Sequence, residues 1–244
     1  MKLYTQTDIG LVRSSNQDIV DGGTLYDGAV VWTVLCDGMG GANGGNVASN
    51  IARNAVKENI GLFDIHGSDY HSEDFLNGIV DKANSSVYHE QLKKPELKGM
   101  GTTFELIVAS QGKAMIVHVG DSRIYLVHNG EIQQITVDHS VVQEMVNRGE
   151  ITPEQAMVHP RKNYITRAVG VSPYIESDYI EIPFTGDDVI IACSDGLSNY
   201  IPMEGILNHL RLYENEALTT ALIESAKSHG GSDNITVAVL YANN

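Results

Sequence analysis

The sequence predicts an α+β fold in which two packed antiparallel β-sheets are flanked by helices. Segments with strand character outnumber those with helical periodicity, and the helical segments are grouped along the chain instead of alternating with strands. Asp-Gly and Asn-Gly pairs between the apolar runs are typical of hairpin turns. The chain of 244 residues contains no linker-like stretch. We therefore expect a single domain spanning residues 1–244.

Strands are expected wherever short apolar runs are rich in β-branched residues. These runs occupy residues 2–7, 30–36, 101–110, 113–119, 122–128, 131–135, 180–182, 189–193 and 235–241. The runs between residues 101 and 135 follow one another closely, and an Asn-Gly pair at residues 129–130 separates the last two, which predicts an antiparallel meander.

Helices are expected where apolar residues recur at a spacing of three and four. This periodicity occurs at residues 47–56, 75–87 and 217–226. From residue 141 to 164 the pattern weakens into short helical pieces and polar loop, which indicates an insertion.

Composition limits the classes of partner. The formal net charge of −15 argues against a nucleic acid or an anionic membrane as the main partner. No apolar run approaches the length of a membrane-spanning helix, and the first residues lack the apolar core of a signal peptide, so a cytoplasmic location is expected. The two cysteines, Cys36 and Cys193, end apolar runs and are expected to be reduced thiols in the core.

Three aspartates stand at the boundaries of apolar runs. Asp37 and Asp195 each follow such a run, and Asp233 precedes the last one. If the last strand is antiparallel to the other two, the three carboxylates would gather at one edge of a sheet. Clustered carboxylates repel one another unless a proton or a cation lies between them, and oxygen ligands favour Mg²⁺ or Mn²⁺ over zinc. A single Asp-Gly pair is more often only a turn.

Eight short motifs then occur in an order that is similar to a known family. They are RSSNQD at 13–18, DGMGG at 37–41, GTT at 101–103, VGDSRIY at 119–125, DHS at 138–140, ITRAVG at 165–170, SDGL at 194–197 and DNIT at 233–236. Together they resemble the metal-dependent protein phosphatase family, type 2C, in its compact bacterial form. The resemblance covers nearly the whole chain and implies a four-layer αββα sandwich with a flap insertion.

The resemblance implies a role for the carboxylates of the metal core. Asp37 would bridge two metal ions, and the carbonyl group of Gly38 would be a further ligand of one of them. Asp195 and Asp233 would complete the protein ligands of the other ion. These assignments make Asp37 the central residue of the site.

Three more residues would act around this core. Asp18 would act mostly through metal-bound water, and Asp121 would help to hold a weaker third ion. A tight hairpin would also place an aspartate at the position of Asp121. Arg13 would bind the phosphate group, because a planar guanidinium suits two phosphate oxygens at once. Without the resemblance, Arg13 would be interpreted as a solvated surface residue.

The implied reaction is metal-dependent hydrolysis of phosphoserine and phosphothreonine in proteins. Two Mn²⁺ or Mg²⁺ ions at roughly 3.5–4 Å would share one water and convert it to the hydroxide that attacks phosphorus. The cations would offset the charge on the phosphoryl oxygens, so no covalent enzyme intermediate is required.

One position departs from the family pattern. Several family members have a histidine directly after the Asp-Gly of the second motif, where it is a proposed general acid, but this chain has Met39. A thioether cannot donate a proton. His139 and His159 are alternative candidates because they lie in or next to the insertion, although histidines in such positions are usually structural or solvated.

The insertion at residues 141–164 resembles the mobile flap of bacterial members, and its short elements and prolines suit a lid. We expect this flap to contribute to the choice of protein substrate. A purely structural loop is the alternative.

The leading hypothesis is a cytoplasmic, monomeric phosphatase that acts on phosphoproteins and opposes a bacterial serine/threonine kinase. A switch phosphatase for one anti-anti-sigma partner is an alternative, which would be expected with an attached sensory domain. A catalytically inactive phosphoprotein-binding module would be expected to have lost metal ligands, whereas Asp37, Asp195 and Asp233 are retained. A different metallohydrolase on the same fold is the last alternative.

Overall fold

The computed structural model describes residues 1–67 and 69–243, and two antiparallel β-sheets lie face to face within that part of the chain. The strands are β1 Lys2–Asp8, β2 Asp18–Leu25, β3 Val30–Met39, β4 Gly101–Thr102, β5 Phe104–Ser110, β6 Lys113–Val119, β7 Arg123–His128, β8 Glu131–Gln134, β9 Asp178–Pro183, β10 Val189–Cys193 and β11 Ile235–Tyr241. One sheet has the order β1-β11-β10-β7-β8, and the other has the order β2-β3-β5-β6-β9 with β4 paired to β3.

Helices cover the outer face of each sheet. Their bounds are α1 Gly41–Asn59, α2 Asp69–Lys93, α3 Val141–Asn147, α4 Pro153–Met157, α5 Asp195–Ser198, α6 Met203–Leu212 and α7 Asn215–Ser228. Helix α1 contacts α2 and β3, whereas α7 contacts α6, β1 and β11.

Three apolar layers hold these elements together. One layer joins α1 and α2 to the β2–β9 sheet, with Trp32 and Leu76 among its members. A second joins α6 and α7 to the opposite sheet, and the third fills the space between the two sheets, with Ile116 and Ile190 among its members. The alternation of helix, sheet, sheet and helix confirms the predicted αββα sandwich.

Burial explains why the central strands read as continuous apolar runs. Strands β5 and β10 are buried at every position, because each is covered by a helical layer on one face and by the other sheet on the opposite face. The edge strand β8 instead alternates between exposed and half-buried residues. These patterns made the central strands the easiest elements to predict.

Two details of the predicted topology were wrong. The expected meander breaks between β6 and β7, because β6 pairs with β9 while β7 pairs with β10 in the other sheet. The segment around Asp121 is therefore a crossing between sheets and not a hairpin turn. In addition, Asp37 lies inside β3, and the three aspartates come from both sheets and not from one edge.

Helix α6 was not predicted, although Ile206, Leu207 and Leu210 have helical spacing. In the described residues no helix has the length and apolar character needed to cross a membrane.

Candidate metal centre

A cleft of about 510 Å³ opens where the ends of the two sheets meet. Its described lining consists of Arg13, Ser14, Ser15, Gln17, Asp37, Gly38, Met39, Gly40, Gly41, Thr103, Asp121, Asn163, Ile165, Asp195, Asp233 and Asn234. Most of the predicted site residues therefore meet at one place, although they are distributed from one end of the sequence to the other.

The main chain of Asp37 is fixed by two threonines of the GTT motif. The Asp37 N–H donates to Oγ1 of Thr103 at 2.9 Å, and the Asp37 carbonyl oxygen accepts from the N–H of Thr103 and from Oγ1 of Thr102, both at 2.9 Å. These contacts hold Asp37 rigidly at the end of β3. The motif was recognised in the sequence, but this role of the two hydroxyl groups was not.

Gly38 lies where β3 and the first turns of α1 approach each other. A Cβ atom on Gly38 would collide with the carbonyl group of Gly45 and would lie 2.7 Å from the carbonyl oxygen of Gln17. Any side chain would push the strand away from the helix. The glycine is thus required by the close packing that brings its main chain to the cleft.

Asp18 is buried directly beside Asp37, because β2 and β3 pair with these two residues opposite each other. One carboxylate oxygen, Oδ2, accepts hydrogen bonds from Ser194 and Thr236, each at 2.7 Å. The other oxygen, Oδ1, is buried and has no hydrogen-bond partner. An unpaired buried carboxylate oxygen is costly unless a cation or a bound water satisfies it.

Asp195 and Asp233 lie at adjacent ends of β10 and β11. Asp195 begins α5, and its Oδ2 accepts from the side-chain amide of Asn199 at 3.0 Å. Asp233 precedes β11, and its Oδ2 accepts from Nη2 of Arg13 at 2.7 Å. Arg13 therefore neutralises Asp233 in this structure.

Asp121 sits on the crossing from β6 to β7. The flanking segment is fixed by Arg123, whose guanidinium donates to both carboxylate oxygens of Asp138 at 2.7–3.0 Å. This bidentate pair joins the VGDSR and DHS motifs, so it links the Asp121 crossing to the segment that leads into the flap.

The crowded carboxylates raise one another's pKa values. Burial and then the charges of Asp18, Asp195 and Asp121 raise the pKa of Asp37 well above its usual range. Burial, with nearby carboxylates, also raises the pKa of Asp121 to about 8 and that of Asp18 and Asp195 to about 6.

These residues fit a hard divalent cation. The donors are oxygen atoms, the carboxylates repel one another, and one oxygen of Asp18 is buried without a partner. No three acidic, histidine or cysteine side chains in residues 1–67 and 69–243 are yet arranged closely enough to hold an ion. In this arrangement Oδ2 of Asp233 is paired with Arg13, and Oδ2 of Asp195 accepts a hydrogen bond from Asn199.

The two candidate histidines do not reach the cleft. His139 is buried, with Nδ1 accepting from the N–H of Gly120 at 3.1 Å and Nε2 facing Asp178. Nδ1 of His159 accepts from the N–H of Arg161. Neither is among the lining residues, whereas Met39 is. The structure therefore places no histidine in the described part of the cleft.

Sequence reasoning did not assign Asn234 a role. Its side chain accepts from the N–H of Gln17 and donates to the carbonyl oxygens of Ile9 and Ser15, which joins the Arg13 loop to the segment of Asp233. Its position in the DNIT motif could have indicated this role. Ser194 and Thr236 donate hydrogen bonds to Asp18, and their positions in the SDGL and DNIT motifs could likewise have indicated a role at the site.

Comparison with known proteins agrees with this geometry. A family model described as protein phosphatase 2C matches residues 12–235. The serine/threonine phosphatase stp of Listeria monocytogenes is 38% identical over 244 residues, which covers 96% of this chain and 93% of that protein.

Solved structures show the same similarity. The Mycobacterium tuberculosis serine/threonine phosphatase PstP/Ppp has a TM-score of 0.90 at 36% identity, covering 100% of this chain and 99% of that chain. The catalytic domain of PstP in complex with 2 manganese ions has a TM-score of 0.84 at 35% identity, covering 98% and 96% of the two chains. The chain therefore belongs to the protein phosphatase 2C family and is a protein phosphatase.

Proposed function

We propose that this phosphatase hydrolyses phosphoserine and phosphothreonine in other proteins and requires two divalent cations, Mn²⁺ or Mg²⁺. One observation carries the proposal: four aspartates line a cleft, with Asp18 buried behind them, and Arg13 is the only basic residue in its described lining. The names of the Listeria and Mycobacterium relatives support the substrate class, and the two manganese ions bound to PstP support the cofactor.

The cations would be held by Asp37, Asp195, Asp233 and the carbonyl group of Gly38, with Asp121 at a weaker third site. When bound, the cations would supply an activated water as the nucleophile and would offset the charge of the phosphoryl oxygens. The protein's part is to fix Asp37 through Thr102 and Thr103, so that little rearrangement is needed when substrate binds.

Arg13 would change partners during the cycle. In this structure its guanidinium is paired with Asp233 and its side chain is half exposed. A cation that takes Asp233 as a ligand removes this pairing and frees the guanidinium to bind two phosphate oxygens. Metal binding and phosphate binding would therefore favour each other.

The leaving serine or threonine oxygen must acquire a proton. Met39 cannot supply it, and the described lining of the cleft contains no histidine, lysine or tyrosine. Because the cleft is open to solvent, we infer that water delivers this proton. The rate should then depend on the pKa of the leaving group more than in a relative that has a general acid.

The flap, residues 141–164, would help to select protein substrates. Its two ends are joined by a hydrogen bond from the N–H of Val141 to the carbonyl oxygen of Tyr164, and Asn163 and Ile165 line the cleft. A protein substrate would touch this region, whereas a small aryl phosphate would not. Deleting the flap should therefore impair phosphoprotein turnover more than aryl phosphate turnover.

We further propose that the protein acts as a cytoplasmic monomer and opposes a serine/threonine kinase. The support is the strongly acidic charge, which disfavours nucleic acid and anionic membranes, and the kind of substrate that its relatives' names state.

The proposal is tested by measuring phosphate release from a phosphothreonine peptide. The metal-stripped protein is assayed with Mn²⁺, Mg²⁺ or a chelator, beside Asp195→Ala, Asp37→Asn and the control Asp27→Asn. Asp27 is an exposed aspartate in a turn and is a matched control for loss of one negative charge. We expect metal-dependent turnover that the first two substitutions abolish and the control retains. Folded protein that releases no phosphate with either metal would contradict the proposal.

A further inference from the structure

We propose that the exposed side chains of Leu11 and Val12 form a docking surface for an apolar residue next to the phosphorylated residue of the substrate protein. This inference rests on the proposed function, because it concerns how the polypeptide around the phosphate is held. We call residues 9–12 the apolar rim. It would make this loop a determinant of substrate specificity.

The apolar rim is unusual for an acidic protein surface. Ile9 is 40% exposed, Leu11 is 61% exposed and Val12 is 69% exposed. Single exposed apolar side chains are common, but here three occur within four residues, directly before Arg13, which lines the cleft. The exposed apolar residues therefore directly precede a residue that lines the cleft.

The rim is held firmly by the segment that carries Asp233. The N–H of Leu11 donates to the carbonyl oxygen of Gly231 at 2.7 Å, and Nδ2 of Asn234 donates to the carbonyl oxygen of Ile9 at 3.0 Å. A Cβ atom on Gly10 would collide with the carbonyl oxygen of Asp233. Because the loop is already ordered, a ligand that contacts it pays little to immobilise it.

Geometry identifies a substrate chain as the occupant. Val12 is one residue from Arg13, and consecutive Cα atoms are about 3.8 Å apart. A polypeptide whose phosphate reaches Arg13 would therefore pass close to the main chain of the rim. A second copy of this chain does not fit the observation, since a stable dimer buries about 800 Å² on each partner and three side chains provide far less.

The charge of the protein limits which type of substrate residue can lie beside the phosphorylated residue. The protein carries a net charge of −15, and four aspartates line the cleft beside the rim. Acidic residues next to the phosphate would be repelled by this negative charge. An apolar residue would not be repelled and would gain contact with Leu11 and Val12. The rim thus favours substrates with Leu, Ile, Val, Met or Phe beside the phosphorylated residue.

The test uses phosphothreonine peptides in which one leucine is moved through the three positions on each side of the phosphothreonine, with serine as the reference. The Mn²⁺-loaded wild-type protein should prefer leucine at one or more of these positions by about tenfold in kcat/KM. In Leu11→Ser/Val12→Ser this preference should fall below about threefold, mainly through KM. The control Leu92→Ser/Leu212→Ser removes two other exposed leucines, 63% and 76% exposed, and should keep the preference.

A charge exchange at Val12 gives a second, independent readout. Val12→Lys should favour peptides with glutamate at the docking position, Val12→Glu should favour lysine, and both effects should weaken at high salt. These variants also cover the case in which the double serine variant does not fold, since Val12 is the more exposed of the two.

The outcomes separate this inference from the proposed function. Equal leucine preference in wild type and Leu11→Ser/Val12→Ser, or no response to the charge of residue 12, would overturn the docking surface alone. Failure of the wild-type protein to hydrolyse any phosphopeptide with Mn²⁺ would overturn both. Loss of the preference in the rim variants but not in the control would establish the rim as a specificity determinant.

Discussion

The surroundings of buried carboxylates differ sharply between two regions of this protein. In the β2–β9 sheet, Glu105 and His118 are fully buried and face each other across β5 and β6, with Nδ1 of His118 2.8 Å from Oε1 of Glu105. Nε2 of His118 lies 3.0 Å from the carbonyl oxygen of Val137. Because both ring nitrogens face acceptors, the geometry favours a protonated His118 that pairs with the Glu105 carboxylate.

The cleft shows the other arrangement. There burial and the neighbouring carboxylates raise the pKa values of Asp18, Asp37, Asp121 and Asp195, and Arg13, the basic residue in the described lining, is paired with Asp233. The comparison teaches that a buried charge with its own partner stabilises one conformation. A cluster of carboxylates without enough positive partners instead favours the binding of a cation. The following changes break or sharpen this contrast, from the largest expected effect to the smallest.

Asp37→Asn should lower phosphatase activity by roughly 10⁴-fold, equivalent to about 5 kcal/mol in the barrier. The same change should stabilise the metal-free protein by about 1–3 kcal/mol, because asparagine avoids the cost of burying or protonating a carboxyl group within the repelling cluster. Activity assays and urea unfolding in chelator check the two effects. A metal-free Asn variant that is less stable than wild type would show that repulsion does not govern the cleft.

Glu105→Leu should destabilise the protein by about 3–5 kcal/mol, because it leaves a buried imidazolium without its carboxylate. Glu105→Leu/His118→Leu should recover most of this loss, since both charges are then absent. Urea unfolding of the single and double variants measures the coupling. A double variant as unstable as the single one would mean that packing, and not charge, dominates at this pair.

The Glu105–His118 pair should also make stability depend on pH. Burial opposes the charged ring, but the Glu105 carboxylate outweighs it and raises the pKa of His118 to about 9. The stabilisation is therefore complete below about pH 6.5 and is lost as the pH rises through 9, a change of about 3 kcal/mol.

The free energy of unfolding, measured in chelator at pH 6, 7.5 and 9.5, tests this dependence of stability on pH. The Glu105→Leu/His118→Leu variant is the control, and its stability should change less over the same interval. If the free energy of unfolding changed equally with pH in the two proteins, the pH dependence would come from other groups.

Adding Mn²⁺ to the metal-stripped protein should stabilise it by about 2.7 kcal/mol at a concentration 100 times the Kd, because the folded state alone binds the ion. Thermal unfolding with and without Mn²⁺ measures the shift in Tm. Asp27→Asn should show the wild-type shift and Asp37→Asn much less of it. An equal shift in both would place the ion elsewhere.

The elements with the most burial were the most predictable from sequence. Strands β10 and β11 appear as apolar runs because both faces are covered, and their antiparallel pairing correctly predicted that Asp195 and Asp233 meet. The family motifs located the remaining residues of the cleft. Periodicity alone would not have distinguished Asp18 or Arg13 from ordinary surface residues.

Long-range pairing limited the prediction elsewhere. Gly120 and Asp121 look like a hairpin turn whether the following strand pairs with β6 or crosses to the other sheet, so local chemistry could not decide. Likewise, a glutamate within an apolar run is ordinarily placed on a solvent-facing side. Only the register that sets Glu105 opposite His118 shows why it is buried.

The central position of β11 has a consequence for synthesis of the protein. This strand lies between β1 and β10, and it follows directly after Asp233 and Asn234. The cleft needs Arg13 and Asp18 from the first part of the sequence and β11 from the last part. A nascent chain can therefore form neither its β1–β11 sheet nor a complete cleft until residues 235–241 have left the ribosome. Prematurely terminated products would be unable to remove phosphate from their targets.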